Sequence, residues 1–175
     1  MSAAIGSFAL AARNNAWANQ TFFEALTGAG DAVFAAPRPG FFASLQETMN
    51  HIYERDLFYI DALEQGGKGR AVYDRVAVTQ AGALFALQQA SDARLIVFCD
   101  GLTEETLLES RDTERPDGMT SETVQDLLLH LFQHQIHHRG QAHVQLSDAG
   151  IAPPQLDDFY LTYGRVPSAA ALRGA

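Results

Sequence analysis

The chain has 175 residues, of which 47% are hydrophobic and 19% charged, with a formal net charge of −9. That length suits one domain spanning residues 1–175, and the composition supplies a core, which excludes a disordered polymer. Twelve Lys and Arg are scattered among twenty-one Asp and Glu, which excludes a phosphate-tracking nucleic-acid surface, and no apolar run approaches the ~18 residues of a membrane span.

In chain order, the first predicted helix covers about Ser7 to Thr27, with Phe8, Ala11, Ala12, Phe22, Phe23 and Leu26 on recurring faces, and "TGAGD" stops it. The apolar stretch at the amino terminus has no basic residues ahead of it, unlike a signal peptide, so a cytoplasmic location is expected. After the loop "APRPG", a second helix is predicted from about Phe41 to Gln65, where Leu45, Met49, Ile52 and Tyr53 follow helical spacing. A third runs from about Thr79 to Gly101, and its Cys99 sits in the apolar run "LIVFC", the place of a buried, inert thiol. The polar stretch that follows carries a Pro-Asp-Gly turn signal at Pro116 to Gly118 and reads as a short hairpin or ordered loop. The fourth helix is predicted to start at Thr120 or Ser121 as N-cap and to reach about Ala149; "QLDDFYLTYG" beyond it is expected to form a last short helix. Four long helices joined by moderate loops predict an all-α fold, a four-helix bundle, in which functional groups lie between facing helices.

The fourth helix carries five of the six histidines. At about 100° per residue, His130, His134, His137, His138 and Gln141 fall in one sector that overlaps the apolar face, whereas His143 and Arg139 fall outside it. His143 reads as a surface residue, and Arg139 suits an ion pair or a subunit contact. Histidines four apart project from one face and can converge on one ion; His130/His134 and His134/His138 both satisfy this. The remaining histidine, His51, lies near the apolar face of the second helix and is the candidate third ligand. Three imidazoles with open coordination positions describe a catalytic type of metal site. A pH switch is the rival use of clustered imidazole. Asp56, one turn beyond His51, is a candidate acceptor for a ligand imidazole, with a plain surface charge as an equal alternative. Trp17 and Asn19 are candidates for lining the pocket, with a structural aromatic and a capping amide as the favoured reading. Gly140, in the middle of a helix, suggests close approach of another element.

These features together resemble the DinB/YfiT-like family. The resemblance rests on "NHI" at Asn50 to Ile52, on "HLFQHQIHHRGQAH" at His130 to His143, on "NNAWANQTFFEAL" at Asn14 to Leu26 and on "AGIAPPQLDDFYL" at Ala149 to Leu161. It implies a four-helix bundle, often a homodimer, holding one divalent metal ion per chain, with zinc and nickel among the family's metals. The implied ligands are His51, His134 and His138, which moves His130 to a neighbouring role beside His137 and Gln141 as residues that touch substrate or support the ligands. The family also implies a small-molecule substrate: some relatives are S-transferases using low-molecular-weight thiols. The expectation is therefore a metal-dependent protein that activates a thiol or water against a small electrophile, in the manner of a thiol S-transferase or a hydrolase. The alternative is a non-enzymatic metal- or ligand-binding stress-response protein. No residue is assigned as catalytic.

Overall fold

A computed structural model describes residues 3–156 and 167–172. Its main elements are α1 (Ala3–Ala29), α2 (Asp31–Ala35), α3 (Leu45–Leu63), α4 (Ala81–Asp100), α5 (Glu104–Leu108), β1 (Ser110–Arg115), β2 (Gly118–Thr123) and α6 (Val124–Asp148), with 3-10 turns at Gly69–Tyr73 and Pro167–Leu172. The fold is mainly helical. The all-α expectation is corrected by the antiparallel pair β1–β2, which occupies the place where a hairpin or ordered loop is expected. Arg115 faces Gly118 across the turn, and Gly118 takes φ 134, a conformation open to glycine and costly for other residues. The short helices α2 and α5 were not anticipated; both have too few residues for a periodic signal. The expected last helix falls largely on residues 157–164, outside the described ones.

Two of the helix starts that differ from expectation do so for visible local reasons. Thr120 and Ser121 are paired in β2 with Thr113 and Asp112, so they cannot cap α6. Thr123 does, its hydroxyl accepting from the Asp126 N–H at 3.1 Å. The second predicted helix begins at Leu45 because Ser44 accepts from the Glu47 N–H while the Glu47 carboxylate accepts from the Ala43 N–H, a reciprocal cap that stops the helix there. Phe41 and Phe42 are left in the bend before it.

The four long helices contact one another as α1 with α4, α3 with α6, α3 with α4 and α1 with α6. Their apolar faces form two cores. One gathers Ile5 and Phe8 of α1, Phe58 to Leu63 of α3, Leu95 and Cys99 of α4 and Val124 to Leu131 of α6. The other gathers Phe22 and Phe23, Leu45 and Met49, Ala81 and Leu84, and Ala142 and Leu146. Residues early in α1 and α6 thus meet residues late in α3 and α4. Between the two cores lies a buried polar layer of Asn15, Asn19, Asp56, Gln88, Asp92, Gln135 and Arg139.

That layer corrects the reading of Arg139. Lying opposite the histidines on α6 directs it into the protein, because a helix packed against two neighbours is buried on more than one side. Its guanidinium donates to Asn15, to Asn19 at 2.8 Å and to Gln135 at 3.1 Å. Asn19 in turn donates to Asp92 at 2.9 Å. The charge pair is therefore bridged by amides, with no direct contact between Arg139 and a carboxylate among the described residues. Trp17 is structural, as favoured: it is buried and its indole N–H donates to Ser168 at 3.2 Å; Asn19 is structural too, but it lies inside α1 and bridges the polar layer instead of capping a helix. Cys99 is fully buried, and burial pushes its thiol up to about 12, which makes it inert as a nucleophile.

Candidate metal centre

α3 and α6 face each other with three-rung ladders of side chains spaced by four. On α3 the rungs are His51, Arg55 and Tyr59; on α6 they are His138, His134 and His130. Spacing of four on both helices keeps each ladder on one face, and the antiparallel packing sets the rungs opposite one another. The ring centres of His51 lie 4.5 Å from His138 and 5.0 Å from His134. At the other end Tyr59 lies 4.9 Å from His130.

His51, His134 and His138 each offer a ring nitrogen, and these atoms lie within 4.8 Å of one another. The Nε2 atoms of His51 and His134 are 3.0 Å apart. Nitrogens sharing one tetrahedral ion at ~2.0–2.1 Å stand ~3.4 Å apart, so the three rings fit a divalent ion with only a small movement. The Gln141 side-chain oxygen takes a hydrogen bond from Nδ1 of His138 at 2.9 Å, which leaves Nε2 of His138 as the free donor atom, and the Gln141 amide N–H donates to His137 at 3.1 Å. Such partners fix the tautomer and orientation of a metal-binding imidazole. Burial is the leading cause that lowers His51 to about 4 and His134 to about 3, followed by the repulsion of His138; His138 is also lowered. The three rings are therefore neutral near pH 7, the state a metal requires.

Sequence reasoning missed Phe42, Arg55 and Tyr73. Phe42 packs its ring 4.6 Å from His51 and 5.7 Å from His138, closing one side of the cluster with an apolar wall. It reaches there because α3 starts late, and nothing in a lone Phe–Phe pair signals that. Arg55 and Tyr59 were legible as the continuation of the His51 register. Arg55 donates to the Tyr73 hydroxyl at 2.6 Å and lies over the same ring at 4.9 Å.

His130 and His137 are exposed at the rim. His143 is corrected from surface residue to half-buried, with a ring nitrogen 3.0 Å from the Pro154 carbonyl, because the chain folds back along α6 after Gly150. Asp56 does not reach a histidine. One carboxylate oxygen accepts from Gln88 at 2.7 Å and from Gln135, and the other has no hydrogen-bond partner. A step of five residues from His51 turns it off the ladder and into the polar layer. Nothing described lies within 4 Å of a side chain added at Gly140, so no close approach within the described chain requires that glycine.

The model of the DinB family matches residues 1–165. Protein DinB of Bacillus subtilis (strain 168) is 25% identical over 157 residues, covering 82% of this chain and 86% of that protein. Among solved structures, a DinB-like protein from Bacillus cereus ATCC 10987 superposes with a TM-score of 0.65 at 19% identity, covering 81% of this chain and 89% of that one. A second DinB-like protein, from Bacillus subtilis, gives 0.56 at 21% identity, covering 87% and 96%.

Proposed function

Since the chain belongs to the DinB family, we propose that it is a metal-dependent enzyme built as a four-helix bundle, in which His51, His134 and His138 hold one divalent ion and a small-molecule thiol or water is activated for transfer to an electrophile. The observation that carries this reading is the convergence of three neutral imidazoles, from two helices, on one point. Zinc and nickel head the expected metals, both well suited to imidazole. Such an ion, when bound, lowers the pKa of a coordinated thiol or water and so supplies a nucleophile at neutral pH.

The chain's own residues do the rest. The three histidines give only neutral donors, and with no protein carboxylate among them the ion keeps its full charge for the substrate. Gln141 holds His138 with its Nδ1 proton directed away from the centre. Phe42 keeps water from one side. His130 and His137 stand exposed at the rim, where an incoming molecule would pass them.

Purified protein, expressed without an affinity tag of histidines, is expected to carry about one divalent ion per chain by elemental analysis. His51→Ala, His134→Ala and His138→Ala should each abolish that stoichiometry, and His143→Ala should leave it unchanged. Metal-free wild-type protein that takes up no ion on re-addition would overturn the site. We also propose a homodimer through the outer face of α6, where Leu129, Ile136 and Val144 are 53%, 67% and 65% exposed. Light scattering should then give about twice the chain mass of 19.0 kDa; a particle of one chain mass refutes it.

A further inference from the structure

We infer that the molecule brought to the three-histidine centre carries a carboxylate, and that Arg55 binds it one helical turn from the ion. This inference rests on the proposed metal site and adds the chemistry of its substrate.

Arg55 is the middle rung of the α3 ladder, between His51 and Tyr59, so its Cα lies about 6 Å along the helix from that of the ligand His51. It is half-buried, yet it takes part in none of the ion pairs among the described residues. The nearby carboxylates are already engaged: Glu54 by Arg75 at 3.4 Å, and Glu122 by Arg115 at 2.6 Å. Arg55 spends one donor on the Tyr73 hydroxyl, and its remaining N–H groups have no acceptor among the described residues. A guanidinium has five N–H donors in a planar fork that matches a carboxylate. The groups across from it are His134 and His130 of α6, and beyond them Arg115, which donates to the Tyr59 hydroxyl at 3.4 Å. Every neighbour along this corridor is neutral, cationic or already paired.

The charge balance points the same way. A divalent ion held by three neutral imidazoles, with Arg55 beside it, would leave an excess of about three positive charges among half-buried side chains. Uncompensated charge there is costly. A thiol or water activated by the ion would offset one charge, and a carboxylate on Arg55 would offset a second. The chain is acidic, at −9 overall, so this cluster is a local exception that would select anions by position. A flat, singly charged carboxylate fits one guanidinium and one phenol hydroxyl, whereas a phosphate dianion would call for more donors.

The test uses two thiols of nearly equal shape, 3-mercaptopropionate and its neutral amide, 3-mercaptopropionamide. Each is titrated into cobalt-loaded full-length protein, and binding is followed by the thiolate-to-cobalt absorption. In the wild type the acid should bind at least about tenfold more tightly than the amide, as a charge-assisted contact predicts. Arg55→Gln should bring that ratio to about one while leaving the amide's affinity in place, which also reports that the variant is folded. Arg55→Lys should retain part of the preference. Equal binding of the two thiols by the wild type, or a preference that survives in Arg55→Gln, would overturn the inference. If cobalt is not taken up, the metal reading fails, and the anion site is read separately on metal-free protein. There the acid, and not the amide, should raise the melting temperature in the wild type and not in Arg55→Gln; no such difference overturns it.

Discussion

Single side chains at this site are set by their neighbours more than by their own chemistry. Asp56 is the clearest case. It sits in the buried layer beside Asp92, and burial, then the repulsion of Asp92, raises it from 3.8 to about 7. Asp92 is raised by burial to about 6, and burial lowers Arg139 to about 10. One protonated aspartate leaves a single carboxylate to balance the one guanidinium. Because the folded state holds a proton on Asp56 that the unfolded chain releases, stability falls as pH rises from about 4 to about 7. Asp56→Asn keeps the shape and removes this liability. Its melting temperature relative to wild type should therefore climb between pH 5 and pH 7 and level off above that, and a difference that does not change with pH would refute the assignment. The spacing of His51 and Asp56 predicts an orienting contact; the hydrogen-bond partner of His138 is instead Gln141, which falls in the same helical sector.

At the scale of elements, α6 carries two jobs on adjacent residues. His134 and His138 face α3, and Gln135 and Arg139, one position on in each case, enter the polar layer. A helix advances about 100° per residue, so neighbours in sequence serve different neighbours in space. This explains the sequence features: the imidazoles are legible as one stripe, while the next-door Arg139 looks like a surface charge until three other helices surround it. Helix cores were readable from apolar spacing, and Leu84, Leu95, Leu127 and Leu131 are buried as that spacing requires. Leu87 of α4 is 39% exposed while Leu84 and Leu95 are buried, because the contact face of α4 is narrower than its apolar face. Helix ends were less legible. Ser44 and Thr123 act as caps only once the chain before them has its own structure, a bend in one case and a strand in the other.

Across the whole molecule, the two apolar cores hold the polar layer and the histidine ladders at mid-height, and the titrating groups pull stability in opposite directions. His51 and His134 are lowered to about 4 and about 3, below an unfolded value of about 6.5. Their contribution is intact above about pH 6.5 and is lost as pH falls toward about 4, since the unfolded chain gains the protons. Bound metal adds to this by mass action: an ion at a hundred times its dissociation constant contributes about 2.7 kcal/mol, or about 5–10 °C in melting temperature for a chain of this size. That increment should be largest near pH 7 and shrink toward pH 4, as protons compete for the same nitrogens. A melting curve at pH 7 that does not respond to any divalent ion would contradict it. Among the described residues no helix is long and apolar enough to cross a membrane.

The sequence by itself determined four long helices, the imidazole stripe, the isolated His51 and the family to which the chain belongs. Each of these is local or periodic, carried by residues within a few turns of one another. Only the tertiary structure decided that Phe42 closes the centre, that Arg55 stands unpaired beside it, that Arg139 and Asp56 belong to a buried amide-bridged layer, and that His51 meets His134 at hydrogen-bonding distance. Those facts depend on the rotation of α3 against α6 and on where α3 begins. Such quantities arise from packing between segments far apart in the chain, and no pattern within either segment encodes them.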